Sequence, residues 1–189
     1  MGLRNLYRNY LSEKYKKMLR RAGKGTYIAK KLVVRNGKCI VMGKNCYIGN
    51  DCRIEAWNEY EGVKYNPKII LEDNVNIRGR CHIGAIDKVV IHKDTLLGSN
   101  VMIIDHDHGD SSLEDAAIHP SKRKLHSKGP IEIGERCWLG ENVVVLSGVK
   151  IGNGTTVGAN SVVTRDLPEN CVAAGVPAKV IKMKTNKGK

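Results

Sequence analysis

The chain has 189 residues, a formal net charge of +13, six cysteines and no phenylalanine. That length suits one domain with a real core, and a core without Phe is built from Val, Ile and Leu, which favours strands. The charge sits at the ends: residues 1–24 carry eight basic side chains against Glu13, residues 179–189 carry five lysines and no acid, and a body left near +1 excludes a groove-filling nucleic-acid binder.

Residues 1–24 are expected to form a short basic amphipathic helix. Leu3, Leu6, Tyr7, Tyr10, Leu11, Tyr15, Met18, Leu19 and Ala22 recur at three- and four-residue steps and form one apolar stripe. Two readings stand for it. The stripe covers the open first coil or a neighbouring subunit, or it lies on an anionic membrane surface with its basic face outward. No run approaches the roughly 20 apolar residues of a membrane span, and no secretory signal is visible. With no CxxC pair among its cysteines, the chain is expected to be cytoplasmic, with contact at the inner face of the membrane as the second reading.

From residue 25 to 168 one rule dominates. Aliphatic residues recur every six positions: Met42, Ile48, Ile54; Leu71, Ile77, Ile83; Ile91, Leu97, Ile103; then Ile133 through Leu139, Val145, Ile151, Val157 and Val163. Glycine often follows, and a small or medium residue takes the fifth place, including Cys46, Cys52, Cys81 and Cys137. A period of six is neither that of a strand nor that of a helix, and about fifteen such units are not chance. The pattern resembles that of an all-β fold, the left-handed parallel β-helix, which implies that each hexapeptide forms one side of a triangular coil. The aliphatics point inward, the glycines relieve crowding at the turns, and the fifth-place cysteines belong to the core rather than to a metal or redox cluster.

Three irregularities break the rule: an insert from Trp57 to Asn66, a two-residue slip around Ala85–Val90, and a long protruding loop over 105–130. Loops of that length are usually functional. The loop opens on DHDHGD, which fails as a calcium loop because its twelfth position is Ala116 rather than Glu. Residues 169–189 read as a basic C-terminal extension.

The segments CHIGAIDKVVIHKDTLLGSNVMIIDHDHGD (81–110) and IEIGERCWLGENVVVLSGVKIGNGTTVGANSVVTRDLPENCVAAGVPAKVI (131–181) resemble the hexapeptide-repeat acetyltransferases, in the branch that O-acetylates lipopolysaccharide and capsular sugars. The resemblance implies acetyl-CoA as co-substrate, no metal, a saccharide acceptor that is often built on a membrane lipid, and a homotrimer with its active site between subunits. It implies one loop histidine as general base. An ungapped count places that base at His108, with His106 the alternative, and neutral imidazole suits the task near pH 7. For the donor it implies Gly140, Ala159, Thr164, Arg165, Lys179 and Lys182, with Trp138 either near the acetyl-CoA groove or packed between subunits. Arg78 stands where relatives often place an acceptor-contacting asparagine. His82, just before Ile83, is a candidate for the groove wall, set against a plain position on the surface ladder. Other readings remain: acetylation of an amino sugar or antibiotic, a γ-type carbonic anhydrase using His82, His106 and His108, and a non-catalytic scaffold.

Overall fold

The computed structural model describes residues 2–185, apart from the side chain of Leu3; Lys187 and Lys189 of the basic tail lie outside it. The chain winds through three sheets of six, eight and six strands, so each coil contributes one short strand to each face of a prism. Face two shows the winding. Tyr27–Ile28, Tyr47–Ile48, Asn76–Ile77, Leu96–Leu97, Trp138–Leu139 and Thr156–Val157 pair side by side, all parallel. This is the left-handed β-helix that the period of six predicts.

Hexapeptide spacing produces the coil because each inward residue stacks on its counterpart one coil away. Ile28, Ile48, Ile77, Leu97, Leu139 and Val157 form one interior column. Met42, Leu71, Ile91, Ile133 and Ile151 form the second, and Ile54, Ile83, Ile103, Val145 and Val163 the third; all are at most 2% exposed. Each such side chain contributes about 1.5–3 kcal/mol by burial. The fifth-place cysteines sit buried beside these columns as free thiols. Burial holds the Cys46 and Cys137 thiols above their usual range, which suits packing rather than reactivity.

Glycine after the inward residue is required by close approach. A Cβ on Gly49 would lie 2.6 Å from the backbone carbon of Arg78, and one on Gly140 would lie 2.6 Å from the amide nitrogen of Ala159. Three residues after the inward aliphatic on faces one and two, the backbone turns left-handed, at Asn45, Asp51, Asn74, Asp94, Asn100 and Asn142 among others. Asn and Asp tolerate that conformation better than other side chains with a Cβ.

The ends differ from the expected boundaries. The helix, α1, spans Leu3–Met18, and Arg21–Ala22 already pairs with Val41–Met42 as the first rung of face one. Only the second half of α1 packs. Ser12 is buried and its hydroxyl accepts the Ile28 N–H at 2.9 Å, while Leu19 joins the core. In the first half, Leu6, Tyr7 and Tyr10 are 52%, 62% and 64% exposed. At the other end the coil runs past residue 168. Cys171–Gly175 continues face two because the small side chains of Cys171 and Ala173 still fit inside. Ala178–Met183 then folds back antiparallel onto it.

On the outside of face one, His92 bridges two coils. Its Nδ1 lies 3.1 Å from Glu72 and its Nε2 lies 2.9 Å from Glu132. Partial burial pulls its pKa down, but the bonds to Glu132 and Glu72 and their charges outweigh this and raise it. The same contact, opposed by burial and helped by Lys150 and Lys88, lowers Glu132. A raised histidine stabilises the fold below its unfolded pKa and loses that contribution as pH rises through its folded pKa; a lowered glutamate contributes above its own unfolded pKa. The bridge therefore holds best between the ordinary pKa values of glutamate and histidine, about 4.3 and about 6.5, and weakens as pH rises beyond that window. His92→Gln is expected to lower Tm more at about pH 6 than at about pH 9. Equal losses at both pH values in thermal scans would rule the charged bridge out.

Candidate active site

Two excursions leave the prism from the corner after face three, and between them stands a cavity of about 330 Å³. Its floor is face three itself. His82 pairs with Arg53 and Met102, and Gly84 with Glu55 and Ile104. Strand alternation sends Ile54, Ile83 and Ile103 inward and leaves Arg53, Glu55, His82 and Ile104 facing the cavity. Gly84 keeps the floor low: a Cβ there would lie 3.4 Å from Cε1 of His106 and 3.8 Å from Nε2 of His82.

The walls come from the two breaks in the repeat. After Ala56 the insert forms a hairpin, Glu59–Tyr60 against Val63–Lys64, which brings Trp57 and Tyr60 to the cavity. After Ile104 the long loop pairs Asp107–His108 against Leu125–His126 and brings His106, His108 and Leu125. Three tyrosine bonds tie the excursions together. The Tyr60 hydroxyl donates to the Ser121 carbonyl at 2.7 Å, and the Tyr65 hydroxyl donates to the Leu125 carbonyl at 3.0 Å while accepting the Leu125 N–H at 2.9 Å. A Lys122–Glu61 ion pair at 3.3 Å adds to these.

The loop is anchored at its root by Asp105, which is fully buried. One carboxylate oxygen accepts the Ile86 N–H at 2.8 Å and the other accepts the Asp87 N–H at 2.9 Å. The two-residue slip in the repeat thus presents a pair of amides to this carboxylate. Asp105 also receives Nδ1 of His106 at 2.9 Å, and its carbonyl accepts the Ser147 hydroxyl at 2.8 Å. Since an ionised carboxylate only accepts, Nδ1 of His106 carries the proton. The His106 side chain is 10% exposed.

His108 differs in every respect. It is exposed, and its ring stands edge-on to Tyr60 with centroids 5.3 Å apart. Neither ring nitrogen has a hydrogen-bond partner among the described residues. His82 lies on the surface ladder and lines the cavity as well. Burial and then the Arg53 charge lower its pKa against the pull of Glu55, so near neutrality it is uncharged. Its Nε2 donates to Glu55 at 2.9 Å.

The remaining sequence-predicted residues lie elsewhere. Trp138, 54% exposed, shares one lateral row of face two with Thr156, Val172 and Lys182. At a strand spacing of about 4.8 Å, Trp138 and Lys182 are about 14 Å apart. Gly140 and Ala159 touch at the edge beyond that row, and Arg78 occupies the same edge in an earlier coil. Lys179 is exposed on the last strand; Thr164 and Arg165 are exposed at a corner after face three. None of these lines the histidine cavity. Among the described residues, no group of three or more His, Cys, Asp or Glu is placed to hold a metal ion. Asp105, Glu55, Trp57, Tyr60 and Tyr65 were not singled out from sequence. The available signal was aromatic: three of the nine aromatic residues lie within the ten-residue insert.

A left-handed β-helix with a histidine-bearing loop defines the class, a hexapeptide-repeat transferase. The family model for bacterial transferase hexapeptide repeats (six repeats) matches residues 130–165. The Escherichia coli K12 protein named "Putative lipopolysaccharide biosynthesis O-acetyl transferase WbbJ" is 46% identical over 153 residues, covering 79% of this chain and 74% of that protein. The chain belongs to the hexapeptide-repeat acetyltransferase family. Among solved structures, the N-acyltransferase AntD of Bacillus cereus, complexed with dTDP and coenzyme A, superposes with a TM-score of 0.77 at 22% identity, covering 93% of this chain and 89% of that one. A hexapeptide-repeat acetyltransferase of Vibrio cholerae, complexed with acetyl-CoA, gives 0.62 at 20% identity over 98% and 81%. At those identities the two structures attest to the fold.

Proposed function

We propose that this acetyltransferase moves the acetyl group of acetyl-CoA to a hydroxyl of a saccharide used in surface polysaccharide assembly, lipopolysaccharide or capsule. The observation that carries this reading is a cavity holding accessible His108 beside fixed polar groups, in a chain 46% identical to a protein named for lipopolysaccharide O-acetylation. His108 is the general base. It takes the hydroxyl proton as the oxygen attacks the thioester carbon; the carbon–sulfur bond then breaks, and the proton passes to the departing thiolate. Backbone N–H groups of the groove wall stabilise the tetrahedral oxyanion.

Acetyl-CoA lies along face two, on the row of Trp138 and Lys182 and the edge of Gly140 and Ala159. Donor groove and histidine cavity are on different faces of one chain, so the complete site forms where face two of one subunit meets face three of the next in a homotrimer. Arg165 and Lys179 meet the coenzyme A phosphates, with Thr164 beside them. Arg165→Ala and Lys179→Ala are each expected to weaken acetyl-CoA binding by about 1–3 kcal/mol, the value of a charge-assisted bond. With dephospho-coenzyme A the effect shrinks for whichever residue meets the 3′-phosphate. Unchanged calorimetric affinity in both variants would remove this donor site. The transfer itself is tested by mass-spectrometric detection of acetylated saccharide; acetyl-CoA consumption with no acetylated sugar in any acceptor mixture would refute it.

The exposed half of α1 belongs to the same reading. Leu6, Tyr7 and Tyr10 stand uncovered beside Arg4 and Arg8, and no helix of the described residues is long and apolar enough to cross a membrane. Lying on an anionic lipid surface, this half would hold the enzyme near a lipid-linked acceptor, each basic residue adding about 1 kcal/mol. Because the second half of α1 caps the first coil, the informative variant is Leu6→Ser/Tyr7→Ser/Tyr10→Ser rather than a truncation. It is expected to lose co-sedimentation with anionic vesicles; equal sedimentation of both proteins, or none, rejects membrane contact.

A further inference from the structure

We infer that the cavity on face three is an acceptor subsite built for a single uncharged pyranose, read by the Glu55–Arg53 pair and stacked by the aromatic wall of the insert. This deepens the saccharide reading above and rests on it. Glu55 is buried, and one of its oxygens takes both Nη2 of Arg53 at 2.7 Å and Nε2 of His82 at 2.9 Å. Its other oxygen has no partner among the described residues and is left as an acceptor. Arg53 is half exposed and spends one of its five N–H donors on Glu55. A fixed acceptor beside fixed donors matches two adjacent hydroxyls of a sugar ring.

The aromatic side supplies what the C–H face of a pyranose needs. Trp57 lines the cavity, and its ring is held by the Arg35 guanidinium at 3.7 Å from the centroid and by Tyr60 edge-on at 5.7 Å. Since Tyr60 is itself bonded to the long loop, this wall is rigid with respect to His108. The volume is at the small end for ligand pockets and suits one ring rather than a chain. Charge sets the rest of the preference. Glu55 and Arg53 neutralise each other and His82 is uncharged, so a uronate or phosphoryl group would meet the free Glu55 oxygen without a spare cation on the cavity floor. Arg78, which stands where relatives often place an acceptor-contacting asparagine, is outside this cavity.

The test is acetyl transfer to methyl hexopyranosides of gluco, galacto and manno configuration and to the corresponding methyl hexuronides. At least one neutral glycoside is expected to be used with kcat/KM about tenfold or more above its uronide, the scale on which fixed hydrogen-bonding groups discriminate. Arg53→Gln and Trp57→Leu should raise the acceptor KM about tenfold and leave the acetyl-CoA KM within about twofold. Glu55→Gln, which removes the charge and keeps the shape, should narrow the gap between glycoside and uronide, a change that a purely structural role would not produce. Uronides used as well as or better than glycosides, or an unmoved acceptor KM in the Arg53 and Trp57 variants, overturns the subsite while sugar acetylation stands. Failure of every saccharide to accept acetyl overturns both.

Discussion

The His108→Ala variant is expected to lose acetyl transfer by about a hundredfold or more while binding coenzyme A as the wild type does. A base must reach a hydroxyl whose oxygen simultaneously meets the thioester, so it must stand where acceptor and donor converge. His108 is exposed at the mouth of the cavity with both nitrogens open, whereas His106 has committed Nδ1 to Asp105 and is nearly buried. Its position is set from two sides. The backbone of His108 pairs with Leu125, whose other edge is closed by the Tyr65 hydroxyl, and its ring rests against Tyr60. Steady-state rates at saturating acetyl-CoA decide the matter. Near-normal turnover in His108→Ala together with collapse in His106→Ala would move the base to His106, and survival of both would end the histidine mechanism.

What could be read from sequence followed from how strongly each feature repeats. The inward aliphatics recur every six residues because each must stack on the last, so the three interior columns and the cysteines at the fifth place were legible before any coordinates. The breaks in the period were legible as breaks, and the loop carrying His106 and His108 does border a cavity. Their content was not legible. Asp105 appears in the sequence as one aspartate in a polar run, and only the fold shows that it fills a buried slot facing the amides of Ile86 and Asp87. Glu55 sits beside an inward isoleucine, where its burial depends on Arg53 and on His82 one coil away. Contacts of this kind join residues about 20 to 30 positions apart whose types carry no period, so no local pattern announces them. The turn residues were a missed regularity: Asn or Asp stands three places after the inward aliphatic at most of the non-glycine left-handed corners of faces one and two, with Lys31, Arg80 and Arg136 as the exceptions. The C-terminal boundary was misplaced for a simpler reason, since Cys171 and Ala173 are too small to look like another aliphatic rung.

Asp105→Ala is expected to destabilise the protein by about 3 kcal/mol, or about 6–12 °C in Tm. The carboxylate accepts three hydrogen bonds in a site closed to solvent, and its removal leaves the buried Ile86 N–H and the partly buried Asp87 N–H without partners. An orphaned buried amide costs about 1–3 kcal/mol, more when the lost acceptor was charged. Asp105→Asn separates this from a generic cavity effect. One amide oxygen can still accept from Ile86, but the NH2 group then faces a second donor, so about half of the stability should return. Function should fall further than stability. The same carboxylate fixes the ring of His106 and the root of the loop, so releasing it shifts His108 against the acceptor even where the protein is folded. At a temperature well below the Tm of the variant, kcat should drop about tenfold or more with the acetyl-CoA KM little changed, because misplacing a base by about an ångström costs rate rather than donor binding. A Tm within one or two degrees of wild type in the alanine variant would show that the two amides find water or another acceptor, and Asp105 would then not be what holds the loop.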